Sequence, residues 1–254
     1  MSEIEWTDVT WNPIAGCTAV SDGCTNCYAV RMSQRLAAMG VEKYSGLTRR
    51  PNSTPRWTGK INFDENALDK PLRWQKPRRI FVNSMSDLFH PEVDKAIVRR
   101  IWSVMESAPQ HTFQILTKRP GRMSSLLATP EFPILENVWI GTSVESVKTI
   151  NRIEYLRKTP AAIRFISFEP LIGSVGSPDL AGIDWVIVGG ESGPGSRPMQ
   201  PEWVAEIFHL TRSAAIPFFF KQWGGNLRTK AGRTYLGTEW NQTPEPKTTK
   251  PAKT

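Results

Sequence analysis

Residues 79–118 read RIFVNSMSDLFHPEVDKAIVRRIWSVMESAPQHTFQILTK, and this stretch decides the fold class. Its ends, "RIFVNS" (79–84) and "FQILTK" (113–118), are near-continuous apolar runs, as expected of parallel strands buried on both faces. Between them, "PEVDKAIVRRIWSVMESAP" spaces its apolar residues at three and four, the period of an amphipathic helix. A strand, a crossover helix and a second strand make the unit from which parallel sheets are built.

The alternation continues outward in both directions. "VWIGTS" (138–143), "IRFISFEPL" (163–171), "WVIVGG" (185–190) and "FFFKQW" (218–223) are further strands of the same kind. "KTINRIEYLRKTP" and "PEWVAEIFHLTRSAAIP" are helices stopped by proline. Upstream, "KINF" (60–63) and "VTWN" (9–12) add two candidate strands. The expectation is an α/β fold, a (β/α) barrel or partial barrel of parallel strands, with an open doubly wound sheet as the alternative. One domain is expected over 1–240, followed by a tail, 241–254, whose Pro, Lys and Thr content reads as disordered.

In a (β/α) barrel the C-terminal strand ends meet on one face, where active sites are built. Nearly every candidate strand here ends in a charged or strongly polar group. Ser84 and Asp87 come at the end of "RIFVNS", Thr117 and Lys118 at that of "FQILTK", and Ser143 and Glu145 at that of "VWIGTS". Glu169, Glu191 and Lys221 end the later ones, and "GGESGPGSRP" (189–198), with Arg197, is a backbone-exposing loop of the kind that approaches a ligand. The plainer reading of each charge is an ion pair at the barrel mouth.

All three cysteines, Cys17, Cys24 and Cys27, lie in "GCTAVSDGCTNCYA" (16–29), after the first candidate strand and on the same face. An odd count argues against a disulfide framework. Zinc is one ligand short locally, and would need His90, His111 or His209. A redox pair at Cys24 and Cys27 lacks a thioredoxin-like context. Iron–sulfur clusters take about one thiolate per iron, so three cysteines on a four-iron cluster leave one iron open to another ligand. "NCYAVRMSQRLAAMG" then continues as a helix ended by Gly40.

Hydrophobic content of 39% and charged content of 22% suit a globular protein, and no apolar run approaches a bilayer span, so no membrane partner is expected. The start "MSEIEWTDVTWNP" is acidic and aromatic, unlike a signal peptide, which makes a reducing cytoplasm the expected location. A net charge of +8 favours a polyanionic partner. "YSGLTRRPNSTPRWTGK" (44–60) mixes cations, turn formers and an aromatic, a composition able to grip phosphates and stack a base. Trp223 in "KQWGG" is a second candidate stacking surface.

Three cysteines after the first strand of a partial (β/α) barrel resemble the radical S-adenosylmethionine (SAM) superfamily. The spacing here is C-x6-C-x2-C where C-x3-C-x2-C is usual, and Asn26 stands where a hydrophobic residue often precedes the last cysteine. "KINFDENALDKPLRW", "IFVNSMSDLFHPE", "FQILTKRPGRM" and "VWIGTSVES" resemble, in order, the spore photoproduct lyase-like branch. The whole chain, through "TWNPIAGC", "FISFEPL" and "VGGESGPGSRPM", resembles a three-cysteine-motif family of phage and bacterial proteins. The resemblance implies a [4Fe–4S] cluster on Cys17, Cys24 and Cys27, with SAM on the open iron. It also implies reduction by a donor such as flavodoxin or ferredoxin, and a 5′-deoxyadenosyl radical that acts on nucleic acid or a nucleotide. Ser84, Asp87, Thr117, Lys118, Ser143 and Glu145 would then contact SAM, and Glu169, Glu191 and Lys221 the substrate. The chain has no fourth cysteine to donate a hydrogen atom, which leaves Tyr155 and Tyr235 as candidates for a relay. The reading from another class is a non-catalytic nucleic-acid-binding protein with a structural zinc or Fe–S site.

Overall fold

A computed structural model describes residues 4–51, 54–226 and 232–245. Its centre is a seven-stranded, all-parallel sheet in which spatial order follows chain order. The strands are β1 (Val9–Trp11), β2 (Arg79–Val82), β3 (Thr112–Thr117) and β4 (Val138–Ser143), then β5 (Ile163–Phe168), β6 (Trp185–Gly189) and β7 (Phe218–Gln222). Crossover helices are α1 (Tyr28–Ala38), α2 (Lys95–Glu106), α3 (Pro120–Leu127), α4 (Arg152–Lys158) and α5 (Pro201–Ser213). The starts are written locally. Asp94 caps α2 by accepting from the Ala96 N–H at 2.7 Å, and α3 and α5 open on Pro120 and Pro201.

Alternate strand residues serve two cores. Ile80, Val82, Phe113, Ile115, Ile140, Ile166, Val186 and Phe218 pack outward against Ile101, Trp102, Met123, Leu156 and Ile207 of the helices. Phe81, Trp139, Phe165, Trp185, Ile187 and Phe219 point inward and gather around Trp6. The Trp6 ring lies 4.7 Å from Phe81 on β2 and 6.1 Å from Trp185 on β6. In a flat sheet those strands would be about 19 Å apart, four spacings of 4.8 Å. One indole touches both because the sheet curls into a half-barrel. The helices cover only its outer face, which removes the doubly wound alternative.

Three expectations change. "KINF" is not a sheet strand: Asn62–Phe63 pairs antiparallel with Ile14–Ala15, a two-residue clasp over the segment after β1. The basic loop forms a ribbon, Thr48–Arg49 against Arg56–Trp57. At the expected tail, the Gln242 carbonyl accepts from the Trp185 indole at 2.8 Å and its side chain accepts from the Phe218 N–H at 2.9 Å, so packed chain runs past 240. Residues 246–254 lie outside the described residues. Among the described residues no helix is long and apolar enough to cross a membrane.

Candidate active site at the barrel mouth

A cavity of about 490 Å³ opens at the C-terminal end of the strands. Cys17, Cys24 and Cys27 all line it, with the ends of β2 to β7 delivering Asn83, Ser84, Lys118, Ser143, Glu169, Glu191 and Lys221. Trp6, Phe81 and Leu116 form its apolar floor.

Three strand-end carboxylates fasten the cysteine loop, one beside each cysteine. Asp87 accepts from the Thr117 hydroxyl (2.6 Å), the Lys118 N–H (3.1 Å) and the Arg119 guanidinium (3.0 Å). Arg119 in turn donates to the Thr18 hydroxyl at 2.7 Å and to the Cys17 sulfur at 3.6 Å. Glu145 is buried and accepts through Oε1 from Lys118 (3.0 Å), Arg152 (3.1 Å) and the Ser21 hydroxyl (2.8 Å). A Cβ on Gly23 would sit 2.6 Å from the Glu145 side chain, so only glycine admits this contact beside Cys24. Glu191 is clamped by Arg197 through Nε (3.0 Å) and Nη2 (2.6 Å), and accepts from Asn26 at 2.9 Å, next to Cys27.

Electrostatics follow this bracing. Burial disfavours the ionised Glu145, and Lys118 and Arg152 outweigh it, holding its carboxyl below the usual range. Burial also opposes ionisation of Glu191, which the Arg197 and Asn26 hydrogen bonds reverse. Burial, then the Asp87 charge, pushes the Cys17 thiol up to about 12 against the pull of Arg119. Burial raises Cys27 too, although the Ala29 and Val30 N–H groups at the start of α1 favour its thiolate. As thiolates these sulfurs therefore call for cationic partners.

Among the described residues, no three His, Cys, Asp or Glu side chains converge as ligands of a single ion. His90 meets the Thr18 hydroxyl through Nε2 at 2.9 Å and accepts from the Glu92 N–H through Nδ1 at 3.2 Å; His111 meets the Pro71 carbonyl and His209 packs on Phe208. All three thiols border one cavity, and cysteine thiolates are the donors an iron–sulfur cluster takes.

The expected residues thus divide. Lys118, Ser143, Ser84, Glu169, Glu191 and Lys221 face the cavity, and Lys221 pairs with Glu169 across Gly189. Asp87 and Thr117 also border it but are bonded to each other, and Glu145 lies behind the loop rather than on the cavity. Of the four carboxylates expected to touch ligands directly, Asp87, Glu145 and Glu191 are engaged in bracing and Glu169 pairs with Lys221. Trp223 packs into the core 5.0 Å from Phe220, and neither Tyr155 nor Tyr235 reaches the cavity. Tyr28 does, donating its hydroxyl to the Ser84 carbonyl at 2.7 Å.

Sequence reasoning missed Arg119, Arg152 and Asn26. It also missed Asn83, a non-glycine residue at φ 60° whose buried Nδ2 has no partner and which borders the cavity.

A family model described as "Protein of unknown function (DUF5131)" matches residues 1–244. The chain belongs to the DUF5131 family. No curated protein and no solved structure matches it. Membership spans the whole half-barrel and the cysteine loop, so the mouth described above is part of the family's unit.

Proposed function

We propose that this mouth holds a [4Fe–4S] cluster on Cys17, Cys24 and Cys27 with SAM on the remaining iron. In this reading the protein is a radical SAM enzyme acting on nucleic acid or a nucleotide. The observation that supports it is the shared cavity: three cysteines of one loop, and polar strand ends from β2 through β7, around a single space. When bound, the cluster and SAM supply one-electron cleavage of a sulfonium and removal of a hydrogen atom from a substrate carbon.

The chain's own groups do the rest. Asp87, Glu145 and Glu191 position the loop through Arg119, Ser21 and Asn26, so ligands would meet a preformed site. Lys118, braced by Glu145, and the Ser143 hydroxyl are suited to a carboxylate and ribose hydroxyls, and the open Asn83 amide is a further donor. Glu169 and Lys221, on the later strands, would face the substrate as a charge pair able to hold or pass a proton. Phe81, Leu116 and Trp6 exclude water beneath them. A one-electron donor protein, flavodoxin or ferredoxin in kind, completes the scheme.

The test is metal content after isolation without oxygen. The reading expects about four irons and four sulfides per chain, lost in Cys24→Ser. Zinc in their place, or a stable chain that binds neither, would overturn it in favour of a binding protein.

A further inference from the structure

We infer that the ribbon of Thr48–Arg49 and Arg56–Trp57 and helix α1 together seat a single-stranded polynucleotide and present one of its bases to the cavity. The seat rests on the previous reading only for what happens to the base once it arrives.

The first observation is a like-charge pair. Arg49 and Arg56 are register partners, directly opposite across the antiparallel ribbon, and both are exposed. Like charges so placed act against a two-stranded ribbon, whose hold here comes from Trp57 on the opposite face. Neither side chain, nor those of Arg50 and Lys60, makes an ion pair or hydrogen bond with another described residue. A strand of phosphates laid along this face would neutralise the pair. The chain does pair its cations elsewhere: Arg100 with Glu65, Lys95 with Glu131 and Lys148 with Asp22.

The second observation ties the ribbon to the cavity. Residues alternate across a strand, so Trp57 faces away from the arginines. Its indole lines the cavity and packs with Leu47, Tyr44 and the α1 residues Leu36 and Ala37 in one small core. Tyr28, at the start of α1, lines the same cavity while remaining 53% exposed. It also lines an adjoining groove of about 240 Å³ with Arg31, Met32 and Arg35. Cations with aromatic faces between them are how single strands are held without reading sequence.

Fluorescence anisotropy of a labelled single-stranded DNA or RNA oligonucleotide with the full-length protein tests this without reductant or SAM. Binding should weaken steeply with salt. The double variant R49Q/R56Q, with melting unchanged, should lose about tenfold or more in affinity and about two from the log–log salt slope. Trp57→Phe should keep binding, and Trp57→Ala should lose about tenfold for the single strand while leaving duplex binding unchanged. Equal affinity in R49Q/R56Q, tighter binding of duplex, or displacement by polyglutamate as effective as by oligonucleotide would overturn the inference, the last in favour of an acidic protein partner. A chain that binds oligonucleotide but no iron would overturn the radical reading alone. One that holds iron but binds no oligonucleotide would overturn this inference alone.

Discussion

Toward the N-terminal end of the strands, the inside of the half-barrel is filled by rings: Trp6 against Phe81, Phe165 and Trp185, with Trp139 and Phe219 beside them. At the C-terminal end the same strands carry Asp87, Lys118, Glu145, Glu169, Glu191 and Lys221 around a cavity and a cysteine loop. The apolar end is filled by the chain's own rings. The mouth is held by long-range pairs between strand ends and loop, and Asp87, Glu145 and Glu191 are committed to keeping the cysteine loop in place. Stability and site are thus separable along one strand: Trp139 packs inward where β4 begins, and Ser143 and Glu145 reach the mouth where it ends.

That separation can be broken by substitution. Trp185→Ala at the packed end should cost about 3–5 kcal/mol in urea unfolding, yet leave iron per folded chain unchanged. Glu145→Ala should cost a similar amount, about 3–5 kcal/mol, because Lys118 and Arg152 lose their buried partner. Unlike Trp185→Ala, it should also lower iron content, since Ser21 and Gly23 lose their brace. Equal iron in both variants would dissolve the distinction between the two ends.

Asn26→Ala sharpens the comparison within the loop. It removes bonds to Glu191 (2.9 Å) and to the Gly195 carbonyl (2.8 Å), and should cost about 1 kcal/mol of stability. Its effect on cluster assembly should exceed its effect on melting.

Acid should act on the mouth first. Glu145 and Glu191 have folded pKa values held below the ordinary 4.5, so their contribution is complete above that value. It is lost as pH falls through their lower folded values. Unfolding free energy measured between pH 7 and pH 3 should fall less steeply in Glu191→Gln than in the parent chain. The smallest stability change belongs to Glu169→Gln. Its partly exposed pair with Lys221 is worth about 1 kcal/mol or less, so turnover should drop while melting barely moves.

The strands were legible because their apolar runs are long and serve two cores. "KINF" misleads because Ile61 and Phe63 pack against the core from a two-residue clasp, and apolar content alone does not separate that from a sheet strand. The mouth was legible as a set of strand-end charges, but not as a wiring diagram. Asn26 is one polar residue of a polar loop in sequence; in space it meets Glu191, 165 residues away. Arg119 reaches Cys17 across 102 residues. Arg152 reads as an ordinary helix start, and only its place seven residues after Glu145 hints that both turn the same way. Local pattern encodes which residues surface at a strand end; partner choice depends on the curl that brings the ends together.

The most direct test of the mouth as a cluster and SAM site is the electron paramagnetic resonance spectrum of the anaerobically reduced protein, recorded with and without SAM. The account predicts a reduced-cluster signal that shifts when SAM is added. A signal indifferent to SAM would contradict it.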